Sequence, residues 1–191
     1  MTLYASLPAT APIAALPGEP SAQAQALIAD FARRLSDSGA RVAGVTQARM
    51  PDEATGRSRI VLRDIADGAL YAISQDLGAG SVACNLDSSE LALACAAIER
   101  RIAEGVDLVV ISKFSKQEAS SGGLADAFRA AMVAKVPVVT AVSPHYVDEW
   151  RQFAGPLAET LEMNAEALDR WWKKLRLAPS ALEEISARPR L

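Results

Sequence analysis

Short aliphatic runs alternate with amphipathic stretches along this chain. "PIAAL", residues 12–16, reads as a short buried strand. "PGEPS" then turns the chain, and Ser21 is the expected N-cap of a helix burying Leu27, Ile28, Phe31 and Leu35. Gly39 stands where a helix C-cap belongs. "RVAGVTQ", residues 41–47, is a second strand, followed by a polar loop that includes "PDEATGRS". "RIVLRDI" and "ALYAIS" flank Ala66-Asp67-Gly68, a turn signal that predicts an antiparallel hairpin. "SVACNL", residues 81–86, reads as a strand or extended segment. "DSSE", residues 87–90, opens a helix in the manner of a capping box, with Asp87 replacing the usual Ser or Thr. That helix runs to about Glu104, and Gly105 ends it.

The strongest strand is "VDLVVIS", whose apolar run stops at Ser112 and Lys113. A loop containing lysine and glycine leads to a helix over 124–134, and "VPVVTAV", residues 136–142, is another buried strand. Helices alternating with aliphatic strands predict a three-layer α/β domain with a mainly parallel sheet and right-handed crossovers. The hairpin is an antiparallel insertion or edge of that sheet. After Pro144 the pattern becomes helical: "HYVDEWRQFAG", then residues 157–177, then a third start signal in "SALEEI", residues 180–185. The expected organisation is an α/β domain over 1–155 and a helical extension over 156–191. Trp171 and Trp172 point to different sides of their helix. The extension therefore either packs on its own domain or offers a surface to a protein partner or a second copy.

Composition narrows the function classes. Half of the 191 residues are apolar and 5% are aromatic, enough for one packed core. A net charge of −3 argues against nucleic acid as a partner. No segment offers about 20 uninterrupted apolar residues, so membrane insertion is not expected. The first basic residue is Arg33, and Pro8, Pro12 and Pro17 interrupt the leading apolar letters. That is unlike a signal peptide, and a cytoplasmic location is the expectation. The two cysteines and single histidine form no CxxC or CxxH pair, so no metal site is expected. Cys95 shares a helical stripe with Leu91, Ile98 and Ile102 and reads as core. Cys84 stands just before a helix, where a thiol is acidified, and is the weak candidate for an ion ligand or nucleophile. His145 follows a strand by three residues, near the same rim.

The candidate chemistry lies at two strand ends. After the first strand, "LPGEPSAQAQAL" stands where a phosphate loop would sit. Gly18 and Ser21 support a turn at a helix N-terminus, but the loop has no lysine, and Glu19 would repel a polyphosphate. At the second end, a metal-holding strand would finish in Asp, often followed by Glu, and this one finishes in Ser112 and Lys113. Metal-assisted phosphoryl transfer in the usual arrangement is unsupported, which argues against an enzyme of that kind. Lys113 is instead aimed at the crevice where open α/β sheets bind ligands. Lys116 follows, and Ser120, Ser121, Gly122 and Gly123 lead into a helix whose first amides attract anions. Glu118 is placed to orient a lysine or balance its charge. The competing reading is a solvated loop with Ser121 as a plain N-cap.

"RVAGVTQ", "RDIADG", "CNLD", "ISKFSKQEASSGGL" and "PVVTAV", spread over roughly residues 12–155, resemble a bacterial family of domains of unknown function. That family is described as nucleoside-triphosphatase-like and is associated with molybdenum transport genes. Its most specific piece here is K-F-x-K-x-E, Lys113 to Glu118, and the family usually has glycine where this chain has Ser115. The same order is distantly similar to small P-loop nucleoside triphosphatases, whose strand end reads Asp-Glu and whose first loop reads Gly-Lys-Thr. The resemblance implies a P-loop-like fold and argues against hydrolysis. It points to a non-hydrolytic module that binds an oxyanion or nucleotide and is accessory to the handling of molybdenum or another metal oxyanion. The alternatives are an interaction module working through the Trp-bearing helices and, last, an unconventional nucleotide hydrolase using Lys113 or Cys84.

Overall fold

The computed structural model describes residues 12–18, 22–51, 56, 58–74 and 86–177. Seven strands form one sheet in the order β4-β3-β2-β5-β6-β1-β7. They are β1 (Ile13–Pro17), β2 (Val42–Pro51), β3 (Ser58–Asp64), β4 (Leu70–Ala72), β5 (Leu108–Phe114), β6 (Val138–Val142) and β7 (Ala158–Thr160). The pairs β2–β5, β5–β6, β6–β1 and β1–β7 are parallel. β2–β3 and β3–β4 are antiparallel, so the expected hairpin is the antiparallel edge of a mainly parallel sheet.

The central strands are buried on both faces, which is why they read as unbroken aliphatic runs. Leu108 and Val110 of β5 face α1 (Ala22–Asp37) and α6 (Ala165–Leu177), with Ile28, Phe31, Leu168 and Trp171. Val109 and Ile111 face the other layer, built from α2 (Ser88–Glu104) and α4 (Ala125–Val133). Cys95 is buried in that layer beside Leu91 and Ile98, as its stripe predicts. β2 and β5 approach so closely that a Cβ on Gly44, whose φ is 125°, would overlap the Val110 carbonyl. Asp87 caps α2 as expected, accepting from the Ser89 and Glu90 amides at 3.0 and 3.1 Å.

Three elements differ from the expectation. β5 does not stop at Ser112; it continues through Lys113 to Phe114, with an irregular register against β6 after Ile111. The following stretch is not all loop, because Lys116–Ala119 form a one-turn helix, α3. Residues 157–177 are not one helix: 158–160 pair with β1 as an edge strand, and only Ala165–Leu177 are helical. Hydrogen bonding at the sheet edge overrides helical composition there. Trp171 is 1% exposed and packs within its own chain, while Trp172 is half-buried. "HYVDEWRQFAG" supplies a 3-10 turn and α5 (Val147–Ala154). Ser21, Cys84, most of the segment 81–86 and the whole of 180–185 lie outside the described residues. Among those described, no helix is long and apolar enough to cross a membrane.

Candidate functional site

The carboxyl end of β5 is fixed from both sides of the sheet. On the α1 side, the buried Gln25 side chain donates to the Ser112 carbonyl at 2.7 Å and accepts from the Gln47 amide at 2.8 Å. One side chain thereby ties the middle of β2 to the end of β5. On the opposite side, the Phe114 ring lies 5.0 Å from Trp150, 5.2 Å from Phe153 and 6.2 Å from Phe128, centroid to centroid. These aromatic contacts hold the strand end against α4 and α5. Neither brace stood out in the sequence. The available signal for Gln25 was a polar residue on the buried face of α1, adjacent to Ala24 and one turn from Ile28.

Beyond Phe114 the chain wraps around a buried carboxylate. Glu118 is 4% exposed. One of its oxygens accepts from the Leu124 amide at 3.1 Å. The other accepts from the Ser115 amide at 3.0 Å and the Ser115 hydroxyl at 3.3 Å. Ser115 has φ −152°, open to any L-residue, so serine fits where the resembling family has glycine. Gly123, with φ 60°, packs directly on the Glu118 carboxylate, and a Cβ there would also come within 2.8 Å of the Gln117 Cβ. Burial pushes the Glu118 carboxyl above its ordinary value, opposed by the Leu124 and Ser115 amides and by the nearby Lys113 charge. Glu118 therefore braces the turn, and its influence on Lys113 is through charge.

This arrangement changes the expected anion site. The turn's amides are largely taken: Ser121 N–H donates to the Glu118 carbonyl at 3.0 Å, Gly122 N–H to the Gln117 carbonyl at 2.8 Å, and Leu124 N–H to the Glu118 carboxylate. Ser121 is no N-cap, because Leu124 occupies that position, and its φ of 60° is left-handed. Its hydroxyl accepts from Arg129 at 3.3 Å. Ser120 and Ser121 are exposed.

Lys113 and Lys116 do come together, as linings of one cleft of about 180 Å³ at the end of β5. Gln47, Ser112, Ser115, Gln117 and Glu118 complete its polar side. Leu62, Ile73, Leu86, Leu91 and Leu124 form an apolar wall. Among the described residues neither lysine has an ion-pair partner, and the buried Gln47 Oε1 has no hydrogen-bond partner. Ser120, Ser121, Gly122 and Gly123 support the turn without lining the cleft. Gly18 lies at the same edge of the sheet but two strands away, with its N–H bonded to the Val142 carbonyl at 3.2 Å. It approaches Met163 on the α1–α6 side, whereas the cleft opens on the α2 side. Ser21 lies outside the described residues, and His145 is exposed in the middle of the 3-10 turn. Among the described residues no group of acids, histidines and cysteines is arranged to hold a metal ion.

Comparison with solved structures places the fold. The crystal structure of THEP1 from the hyperthermophile Aquifex aeolicus matches 88% of this chain and 99% of its own, with a TM-score of 0.61 and 19% identity. The architecture is P-loop-NTPase-like, as the order of elements predicted. Among curated proteins, the molybdenum import ATP-binding protein ModC 2 of Bradyrhizobium diazoefficiens is 37% identical over 161 residues. That match takes in 84% of this chain but spans only 18% of the relative's length. The model of a family described as a protein of unknown function, DUF2478, matches residues 13–171. The chain thus belongs to the DUF2478 family.

Proposed function

We propose that this chain is a non-hydrolytic, P-loop-like module that binds an oxyanion or nucleotide at the end of β5. The observation that carries the reading is the pair Lys113 and Lys116, which line one cleft with no carboxylate paired to either among the described residues. Two ammonium groups beside low-dielectric walls attract an anion, even with the Glu118 carboxylate in the same cleft. The lysine-free first turn and the strand end Ser112-Lys113 argue against metal-assisted hydrolysis.

A relative supports a setting for the module. A matching segment makes up 18% of a molybdenum import ATP-binding protein, which supports a role in company with such a protein. Its proposed role is accessory to the handling of molybdenum or a related metal oxyanion. Calorimetric titration with molybdate, tungstate, phosphate and a nucleotide tests the binding claim. At least one ligand should bind, and Lys113→Ala should weaken it at least tenfold. No heat of binding from any of the four would sink the reading.

A further inference from the structure

We infer that the cleft at the end of β5 takes an organic anion with an apolar body, in preference to a bare inorganic oxyanion. This rests on the anion-binding reading of Lys113 and Lys116 and narrows its ligand class.

The lysines occupy only one side of the cleft. Gln47, Ser112, Ser115, Gln117 and Glu118 add to the polar lining, and Leu62, Ile73, Leu86, Leu91 and Leu124 form an apolar wall, of which Leu62, Leu91 and Leu124 are 1%, 6% and 2% exposed. A tetrahedral oxyanion is polar in every direction. Its far side would lose water against this wall and gain no hydrogen bond in return. The turn's amides offer little replacement, since those of Ser121, Gly122 and Leu124 already donate within the protein. An anion bearing a ring or a short aliphatic group satisfies both halves: its head meets Lys113 and Lys116, and its body covers the leucines.

Gln47 adds a further requirement. The residue lines the cleft, and its buried side-chain oxygen lacks a partner among the described residues. A buried acceptor left unpaired is unfavourable unless a ligand supplies a donor. An N–H or O–H on the ligand body would fill that role. The volume, about 180 Å³, lies below the ~300–1,000 Å³ of drug-sized pockets, which limits the body to about one ring.

Calorimetry on the full chain with inorganic phosphate, phenyl phosphate and 4-aminophenyl phosphate separates the possibilities. Phenyl phosphate should bind about tenfold more tightly than phosphate, because burial of its ring adds to the same charge contact. The amino compound should gain further, and Gln47→Leu should remove that gain alone. Lys113→Ala and Lys116→Ala should weaken all three, whereas Leu86→Ala should weaken only the two ring-bearing ligands. If Leu86→Ala fails to fold, the wild-type ratio of phenyl phosphate to phosphate still decides. Equal or tighter binding of bare phosphate would overturn this inference while leaving the anion site standing. Absence of binding by all three, phosphate included, would overturn the anion site itself.

Discussion

Burial holds the Glu118 carboxyl above its ordinary 4.5, while its oxygens accept hydrogen bonds from Ser115 and Leu124. Its folded-state pKa exceeds the unfolded one, so folding takes up a proton over that interval. The stabilisation is fully present below about 4.5 and is lost as pH rises through the folded value. Glu118→Gln should remove this dependence. Urea midpoints of the wild type and variant, measured at a series of pH values from 4 upward, should diverge with the wild type losing ground as pH rises. A constant difference would mean that the carboxyl does not titrate abnormally. K-F-x-K-x-E was legible as the informative run, and the structure gives its letters separate tasks. Phe114 anchors, the two lysines face the cleft, and Glu118 braces the turn. The roles of Phe114 and Glu118 were hidden because both depend on what lies across the fold, and local spacing carries no such contact.

At the scale of elements, Gln25 makes α1 part of the site's support. Replacing it with alanine leaves the Ser112 carbonyl and the Gln47 amide without their partner, at a cost of about 2–3 kcal/mol. Gln25→Ala should therefore lower the urea midpoint and also weaken anion binding, through the loosened link between β2 and the end of β5. Unchanged stability would show that water replaces the side chain fully. Strands buried on both faces and α2 with its Asp87 cap were readable from aliphatic runs and capping chemistry. β7 was not, because Ala158–Thr160 is only three residues long and sits in a helix-forming composition. Its pairing with β1 is a long-range contact that no local pattern announces. The one-turn helix α3 was missed for a related reason: a single turn is too short to show a period.

Across the whole molecule, the sheet separates two sides with different tasks. α1 and α6 cover one face and bury Trp171 beside Phe31 and Ile28. α2 and α4 cover the other, where the lysine cleft opens. Trp171→Ala removes a side chain that is 1% exposed and should destabilise the fold by about 3–5 kcal/mol. Denaturant unfolding should show this loss, and a change under 1 kcal/mol would mean that α6 contributes little to the core. The alternation of strands and helices made the fold class legible. The face on which each rim residue ends was not, and that distinction sets Gly18 apart from Lys113. The proposed anion site, at Lys113 and Lys116, lies on the α2 side of the sheet. A crystal soaked with 4-bromophenyl phosphate tests it most directly, because the bromine marks the body and the phosphate marks the head. The phosphate should lie within hydrogen-bond reach of Lys113 and Lys116, with the bromine against Leu62 and Leu91. Density beside Gly18 on the α1 side, or no density at all, would rule out an anion site at the two lysines.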